Sequence, residues 1–96
     1  MAMRFEWDPF KNKINGRKHG VSFEEAQTAF YDDNARLIPD PDHSDKENRF
    51  ILLGMSGKSR ILLVCHCYEE RELTIRIISA RKSTPKERSQ YEGFLI

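Results

Sequence analysis

Two helix-start signals near the N-terminus constrain this chain most, because they fix where two helices begin. In the first, Asp8 stands at the N-cap position and Pro9 follows at the first helical position, where its missing N–H costs nothing. In the second, Ser22-Phe23-Glu24-Glu25 has the spacing of a capping box. The sequence therefore predicts one helix that begins at Pro9 and stops at Gly20, and a second that runs to about Tyr31.

Apolar residues recur at helical spacing in both predicted helices. Phe10 and Ile14 are one turn apart in the first helix, and Phe23, Ala26 and Phe30 form a stripe along the second. We expect both sets to face the core, which leaves the cationic residues of the first helix toward solvent.

Much of the remaining chain has the composition of β-strands joined by short turns. Met3 to Trp7 alternates apolar and charged residues, and residues 49–55, 60–68 and 73–81 are rich in branched apolar residues. Connections this short predict an antiparallel meander, and residues 35–38 are a candidate for a further edge strand.

A third capping pattern, Thr84-Pro85-Lys86-Glu87, predicts a last helix that ends near Gly93. At 96 residues the chain is long enough for one compact core and too short for two ordinary domains. The predicted fold is a single α+β domain over residues 1–96. It has a small antiparallel β-sheet, formed by the meander plus the N-terminal strand, packed with two N-terminal helices and one C-terminal helix.

Charge is distributed unevenly along the chain, although the formal net charge is only +1. Residues 1–48 hold seven Lys and Arg against ten Asp and Glu, whereas residues 49–96 hold nine against five. A nearly neutral protein is not drawn to nucleic acid by overall attraction, so such binding needs a local cationic surface. Much of the acid lies in residues 32–47, which are expected to form a solvated loop.

Several kinds of site and location are disfavoured. Cys65 and Cys67 lack the spacing of a CxxC redox or zinc motif, and we expect free thiols in a reducing compartment. Zinc-ligand spacing, a calcium loop and a phosphate-binding glycine loop are absent from the sequence, so no metal or other cofactor is expected. Neither a leader peptide nor an apolar run of about eighteen residues is visible, which predicts a cytoplasmic protein without membrane contact.

Three separated blocks of sequence, FEWDPFKNKINGRKHGVSFEEA, ENRFILLG and IRIISARKS, resemble the pattern of the BrnT family of toxins from bacterial type II toxin–antitoxin systems. They cover nearly the whole chain in the expected order. The matching positions are Trp7, Asp8, Lys11, Asn15, Lys18, His19, Gly20, Phe23, Glu24, Arg49, Gly54, Arg76, Ser79 and Arg81. The segment around His66 does not match, so the resemblance does not support a catalytic His66.

The resemblance implies a RelE-like fold and a ribonuclease that cleaves RNA, either on the ribosome or free, and thereby inhibits translation. It also implies a partner, a BrnA-like antitoxin with a ribbon–helix–helix domain that would neutralise the toxin. The complex would contact operator DNA only through that antitoxin.

Metal-independent RNA cleavage needs stabilisation of charge on the phosphate and proton transfer at the 2′ and 5′ oxygens. Arginine suits the phosphate because its planar fork donates two parallel hydrogen bonds, and Arg49, Arg76 and Arg81 are the catalytic candidates. Arg76 and Arg81 have opposite parity on one predicted strand, so they share a face only if a bulge or the strand's end re-aims Arg81. The alternative is that one binds phosphate and the other pairs with Glu87 or Glu92.

Histidine is the natural residue type for proton transfer, because its ordinary pKa lies near neutrality. His19 is the candidate, at the end of the first helix; its alternative role is to cap that helix. His66 lies in the middle of a predicted strand and is expected to be a hydrogen-bonded sheet residue.

Lys11, Lys18 and Lys82 are candidates for contacts to the RNA backbone, and Tyr91 for stacking on a base. The alternative for Tyr91 is core packing with Phe94. An alternative function also stays open, a non-catalytic interaction module that binds a regulatory partner or RNA. A direct DNA reader is disfavoured, because no helix-turn-helix or other groove-entering pattern is apparent.

Overall fold

The computed structural model describes residues 3–40, 49–69 and 74–93, and its elements follow the predicted order. The strands are β1 (Arg4–Glu6), β2 (Arg36–Pro39), β3 (Arg49–Met55), β4 (Ile61–Tyr68) and β5 (Thr74–Lys82). The helices are α1 (Pro9–His19), α2 (Phe23–Thr28), continued by a 3₁₀ turn over Ala29–Tyr31, and α3 (Pro85–Gly93). The α+β class is confirmed. Residues 41–47 of the predicted acidic loop, part of the predicted turn before β5, and Phe94 lie outside the described residues.

Both N-terminal helices begin as their capping signals predict. Asp8 Oδ1 accepts a hydrogen bond from the Phe10 N–H at 2.8 Å, and Ser22 Oγ accepts one from the Glu25 N–H at 3.0 Å. Gly20 ends α1 with a φ of 69°, a left-handed conformation that glycine adopts without steric cost. The local signals therefore set the bounds of α1 and the start of α2.

The sheet has the strand order β1-β5-β4-β3-β2. Strands β2 to β5 pair antiparallel, which confirms the meander and the added edge strand. β1 pairs parallel with β5, with Phe5 opposite Ile75, so the sheet is mixed rather than wholly antiparallel. The alternation that identifies β1 as a strand says nothing about the direction of its partner, which lies far along the chain.

The main core lies between α2 and one face of the sheet. Its buried members are Val21, Phe23, Ala26, Ala29, Leu52, Leu62, Val64, Ile77 and Ala80. Phe30 packs against this cluster, so the predicted inner stripe of α2 is confirmed. A Cβ added at Gly54 of β3 would lie 3.0 Å from the Ala29 carbonyl oxygen, which is a tight contact. The close packing of the 3₁₀ turn against β3 therefore favours glycine at this position.

The predicted buried face of α1 is wrong, because Phe10 is 68% exposed and Ile14 is 46% exposed. α1 is anchored instead by Asn15, which is 6% exposed. Its Nδ2 donates to the carbonyls of Val21 at 2.9 Å and Ala80 at 2.8 Å, and its Oδ1 accepts from the Ala80 N–H at 3.1 Å. β1 pairs only with the start of β5, so Asn15 serves as the hydrogen-bonding partner of Ala80 beyond the end of β1.

Candidate functional site

Four side chains form one row across the sheet face opposite the main core. Glu6 lies opposite Arg76, Arg76 opposite Cys67, and Cys67 opposite Arg49, so the row crosses β1, β5, β4 and β3. Paired residues of adjacent strands point to the same side, and the strands are about 4.8 Å apart. The register therefore holds the two arginines on one face, with their Cα atoms roughly 10 Å apart.

A first cleft opens at this row. It has a volume of about 270 Å³ and is lined by Lys11, Arg49, Cys67, Arg76 and Ile78. Arg76 Nη1 donates to Glu6 Oε2 at 2.7 Å, in a pair whose side chains are 39% and 44% exposed. An ion pair this exposed contributes little to stability, but it orients the guanidinium at the mouth of the cleft.

A second cleft, of about 200 Å³, adjoins the first. It is lined by Lys11, Ile14, Asn15, Lys18, His19, Ile78 and Ser79. The two clefts share Lys11 and Ile78, so their linings are continuous. We call the basic side chains of this surface, Lys11, Lys18, His19, Arg49 and Arg76, the basic groove.

A comparison with protein families decides what kind of protein carries this groove. The family model described as "Ribonuclease toxin, BrnT, of type II toxin-antitoxin system" matches residues 7–87, which contain every member of the basic groove. The chain belongs to the BrnT family. The family predicted from the three sequence blocks is therefore confirmed.

A solved structure with the BrnT fold supports the same placement. The 1.1 Å crystal structure of the Brucella abortus ribonuclease toxin, BrnT, matches with a TM-score of 0.66 and 22% sequence identity. The match covers 86% of this chain and 99% of that one, and at this identity it establishes a shared fold. A comparison with curated proteins finds no match.

Arg81 reaches the face of Arg76 because β5 carries the bulge that this requires. Cys65 pairs with Ser79 whereas His66 pairs with Ile77, which leaves residue 78 as the extra residue. However, Arg81 lies opposite Leu63, four residues along β4 from Cys67, or about 13 Å away. Sharing a face thus does not bring Arg81 into the basic groove.

The guanidinium of Arg81 is held by α3. Its Nη1 and Nη2 donate to Glu87 Oε1 at 2.8 Å and Oε2 at 2.9 Å, so the alternative of pairing with Glu87 describes the structure. This hydrogen bonding lowers the pKa of Glu87 to about 2 and raises that of Arg81. Thr84 completes the predicted capping box, donating its N–H to Glu87 Oε1 and accepting from the Glu87 N–H. Arg81 therefore leaves our set of catalytic candidates, because its fork is engaged by Glu87.

Tyr91 is buried and not available to a base. It is 2% exposed and packs with Leu53 and Ile61 in a second core cluster beneath α3. Its Oη donates to Asp32 Oδ2 at 2.6 Å, and burial together with this bond raises the pKa of Tyr91 to about 12. The prediction that Tyr91 stacks on RNA is wrong, because the alternative of core packing uses both the ring and the hydroxyl.

His66 is a sheet residue, as expected. It is fully buried, with its ring centroid 4.8 Å from that of Phe30, and its Nδ1 lies 3.0 Å from the Val64 carbonyl oxygen. Burial lowers the pKa of His66. Lys82, by contrast, is exposed but stands at the far end of β5, outside the basic groove.

Sequence reasoning missed two residues of the groove's surroundings. Cys67 lies between the two arginines of the row, and Glu6 orients Arg76. Strand parity puts Arg49 and Cys67 each on one face of its own strand, but only the register shows that they are neighbours. Neither Cys65 nor Cys67 takes part in a disulfide bond, as predicted, and burial raises the pKa of Cys65.

Neither a metal site nor a membrane-spanning helix is found within residues 3–40, 49–69 and 74–93. No group of three or more His, Cys, Asp or Glu side chains there is arranged to hold a metal ion. None of the helices in the same ranges combines the length and the apolar content needed to cross a bilayer.

Proposed function

We propose that this BrnT-family protein is an endoribonuclease that cleaves RNA without a metal ion and inhibits translation. The observation that carries the proposal is the cross-sheet row that sets Arg49 and Arg76 on either side of Cys67, with Lys11 lining the same cleft. Three cations at one cleft suit a phosphodiester, whose charge increases during cleavage.

The arginines are assigned to the reacting phosphate. When the RNA 2′ oxygen attacks the adjacent phosphorus, negative charge grows on the non-bridging oxygens and the bond to the 5′ oxygen breaks. The guanidinium groups of Arg49 and Arg76 stabilise that charge by hydrogen bonds that strengthen in the transition state. Lys11 and Lys18 contact neighbouring phosphates and position the strand.

His19 is assigned to proton transfer. Its side chain lines the second cleft, which adjoins the arginine cleft through Lys11, whereas His66 is sealed inside the core. The chemistry requires one group to remove the 2′-hydroxyl proton and one to protonate the departing 5′ oxygen. His19 takes one of these roles, and the products would be a 2′,3′-cyclic phosphate and a 5′-hydroxyl end.

The proposal is tested by mapping new RNA ends. Purified protein is incubated with labelled messenger RNA, alone and with translating ribosomes, and in the presence of a chelator. We expect the wild type to produce new 5′-hydroxyl ends, both with and without the chelator. The folded Arg49→Ala/Arg76→Ala variant should not produce these ends. Lys58→Ala is the matched control, since Lys58 is an exposed cation in the turn at the opposite end of β3 and β4.

Three outcomes would overturn the proposal or one of its parts. Tight RNA binding without new ends under either condition would favour the non-catalytic module instead. Wild-type cleavage by the folded double variant would reject the arginine assignment, and loss of cleavage in chelator would reject metal independence.

The partner we propose is a BrnA-like antitoxin that covers the basic groove with an acidic segment. The exposed side chains of Phe10 and Ile14 adjoin the groove on α1 and offer apolar contacts next to the cations. Affinity for the antitoxin should fall as salt is raised, and an affinity independent of salt would count against this contact. A neighbouring reading frame for a ribbon–helix–helix protein is the simplest check on the partner's class.

A further inference from the structure

A third cleft lies where β5 leads into α3, at the opposite end of the strand from Arg76. It has a volume of about 250 Å³ and is lined by Ser59, Arg60, Ile61, Lys82, Ser83 and Arg88. Three of these side chains are cationic and two carry hydroxyl groups, and no carboxylate lines the cleft in the described residues. This composition suits an anion.

The cations of the third cleft differ in how they are held. Arg60 is fixed, because its Nε and Nη2 bond the carboxylate of Glu25 and Nη2 also donates to the Gly20 carbonyl oxygen at 3.0 Å. The side chain of Arg88 is 64% exposed, and its Nε lies 3.5 Å from Glu92 Oε2, a long distance for an ion pair. Lys82 is also exposed. An exposed pair at that distance contributes little, so Arg88 is available to a stronger anion.

The third cleft lies around the edge of β5 from the first cleft. Arg76 pairs with Cys67 and Lys82 with Leu62, so the two side chains leave opposite faces of β5. β5 contributes Arg76 and Ile78 to the first cleft, Ile78 and Ser79 to the second, and Lys82 to the third. The partners of Arg76 and Lys82 on β4 are five residue steps apart, or roughly 16 Å, so an extended strand of several nucleotides that passes around the edge of β5 beside α1 reaches both clefts. Arg60 Nη2 also donates to the carbonyl oxygen of Gly20, the residue that follows His19, so one lining residue of the third cleft lies beside the end of α1.

We propose that the third cleft binds a backbone phosphate of the RNA whose cleavage we assign to the basic groove, a few nucleotides from the scissile bond. The inference rests on the proposed function and extends it to the length of RNA that the protein recognises. Lys82 and Arg88 supply exposed cations, Arg60 one that is held by Glu25, and the hydroxyls of Ser59 and Ser83 can donate to phosphate oxygens. Such a contact positions the strand without reading its sequence.

The test compares short and longer RNA with a Lys82→Ala/Arg88→Ala variant, in which both substituted side chains are exposed. For an oligonucleotide of roughly ten residues we expect KM to rise about tenfold with kcat unchanged. For a dinucleotide substrate neither constant should change. The slope of log affinity against log salt should fall by about 0.7 for each lost phosphate contact.

Binding is measured separately with a 2′-O-methyl oligonucleotide, which cannot be cleaved, so this readout stands even if the wild type proves inactive. The same length-dependent loss of affinity is expected. Arg36→Ala is the control, because Arg36 is an exposed cation on β2, three strands away from β5.

Three results would overturn the inference. Unchanged affinity of the double variant for the longer RNA would show that the cleft binds no phosphate. Equal losses on short and longer RNA would show that Lys82 and Arg88 act on the groove itself. Weakened binding of an acidic antitoxin with unchanged RNA binding would assign the cleft to the partner. Absence of cleavage by the wild type, with length-dependent binding intact, would reject the nuclease proposal and not this one.

Discussion

The two ends of one sheet face use the same residue type in different ways. At one end Arg76 stands beside a cleft, with a single bond to the exposed Glu6. At the other end Arg81 is held by both oxygens of Glu87 beneath α3. Both arginines lie on β5 and, after the bulge, on the same face. The difference teaches that the geometry of the carboxylate partner decides how much of an arginine's fork is engaged within the fold: one bond at Arg76 and two at Arg81.

The two helices at these ends are also attached differently. α1 is anchored by Asn15, which bonds backbone groups on β5 and before α2. α3 is attached by the ion pair of Glu87 and by Tyr91, which is buried in a small apolar cluster. Each attachment makes a prediction about stability that is separate from activity.

The largest expected effect separates the two arginines. Arg76→Ala should lower the rate of RNA cleavage by about a hundredfold or more, the usual cost of removing one donor to a developing oxyanion. Arg81→Ala should leave the rate within a few-fold of wild type. Initial rates on a defined RNA, with folding checked by circular dichroism, measure both, and a larger loss for Arg81→Ala would reverse the comparison.

The anchor of α1 is tested by Asn15→Ala, which leaves the Ala80 and Val21 backbone groups without their partner. We expect the free energy of unfolding to fall by about 2–3 kcal/mol, because buried groups are left unsatisfied. Urea denaturation measures the change. Asn34→Ala is the control, since Asn34 is exposed and bonds Asp32 through its backbone N–H, and a similar loss there would remove the special role of Asn15.

The ion pair of α3 makes a prediction about pH. The folded-state pKa of Glu87, about 2, lies below its ordinary value of 4.5, so its stabilisation is complete above that value and is lost as pH falls from about 4.5 to 2. Glu87→Gln should cost about 1 kcal/mol at neutral pH, a figure reduced for solvent screening of the partly exposed pair. Unfolding measured down the pH range should show a weaker acid dependence in the variant; an unchanged dependence would contradict the assignment.

The smallest effect is expected at the hydroxyl of Tyr91. Tyr91→Phe keeps the buried ring and removes the bond to Asp32, which still accepts from the Met55 N–H at 2.8 Å. We expect a loss of about 1 kcal/mol in the free energy of unfolding and no change in RNA affinity. Weaker RNA binding with unchanged stability would restore Tyr91 to the RNA surface.

Features fixed by neighbours in sequence were predicted well. The start of α1 at Asp8-Pro9, its end at Gly20 and the box of Thr84 and Glu87 all depend on hydrogen bonds between residues a few positions apart. Periodicity also found the inner stripe of α2. It failed for Phe10 and Ile14, because α1 lies along a sheet edge and is attached through a polar residue, a role that hydrophobic spacing does not reveal.

The candidate site was predicted only in part. The sequence identified Arg49, Arg76, Lys11, Lys18 and His19 as site candidates, and these side chains line two adjoining clefts. It did not distinguish Arg76 from Arg81, since both have the same chemistry and the same strand. The sequence predicted that Tyr91 stacks on RNA, because nothing near a helical tyrosine in sequence shows whether its ring faces the core or the solvent.

By itself the sequence determined the helix bounds, the strands of the meander, and the family to which the chain belongs, because caps, turns and residue patterns act over short distances along the chain. Only the tertiary structure decided the parallel pairing of β1 and the row that joins Glu6, Arg76, Cys67 and Arg49. Those features depend on register and packing between residues far apart in sequence. A one-residue shift in the register of a strand would turn its side chains to the opposite face of the sheet.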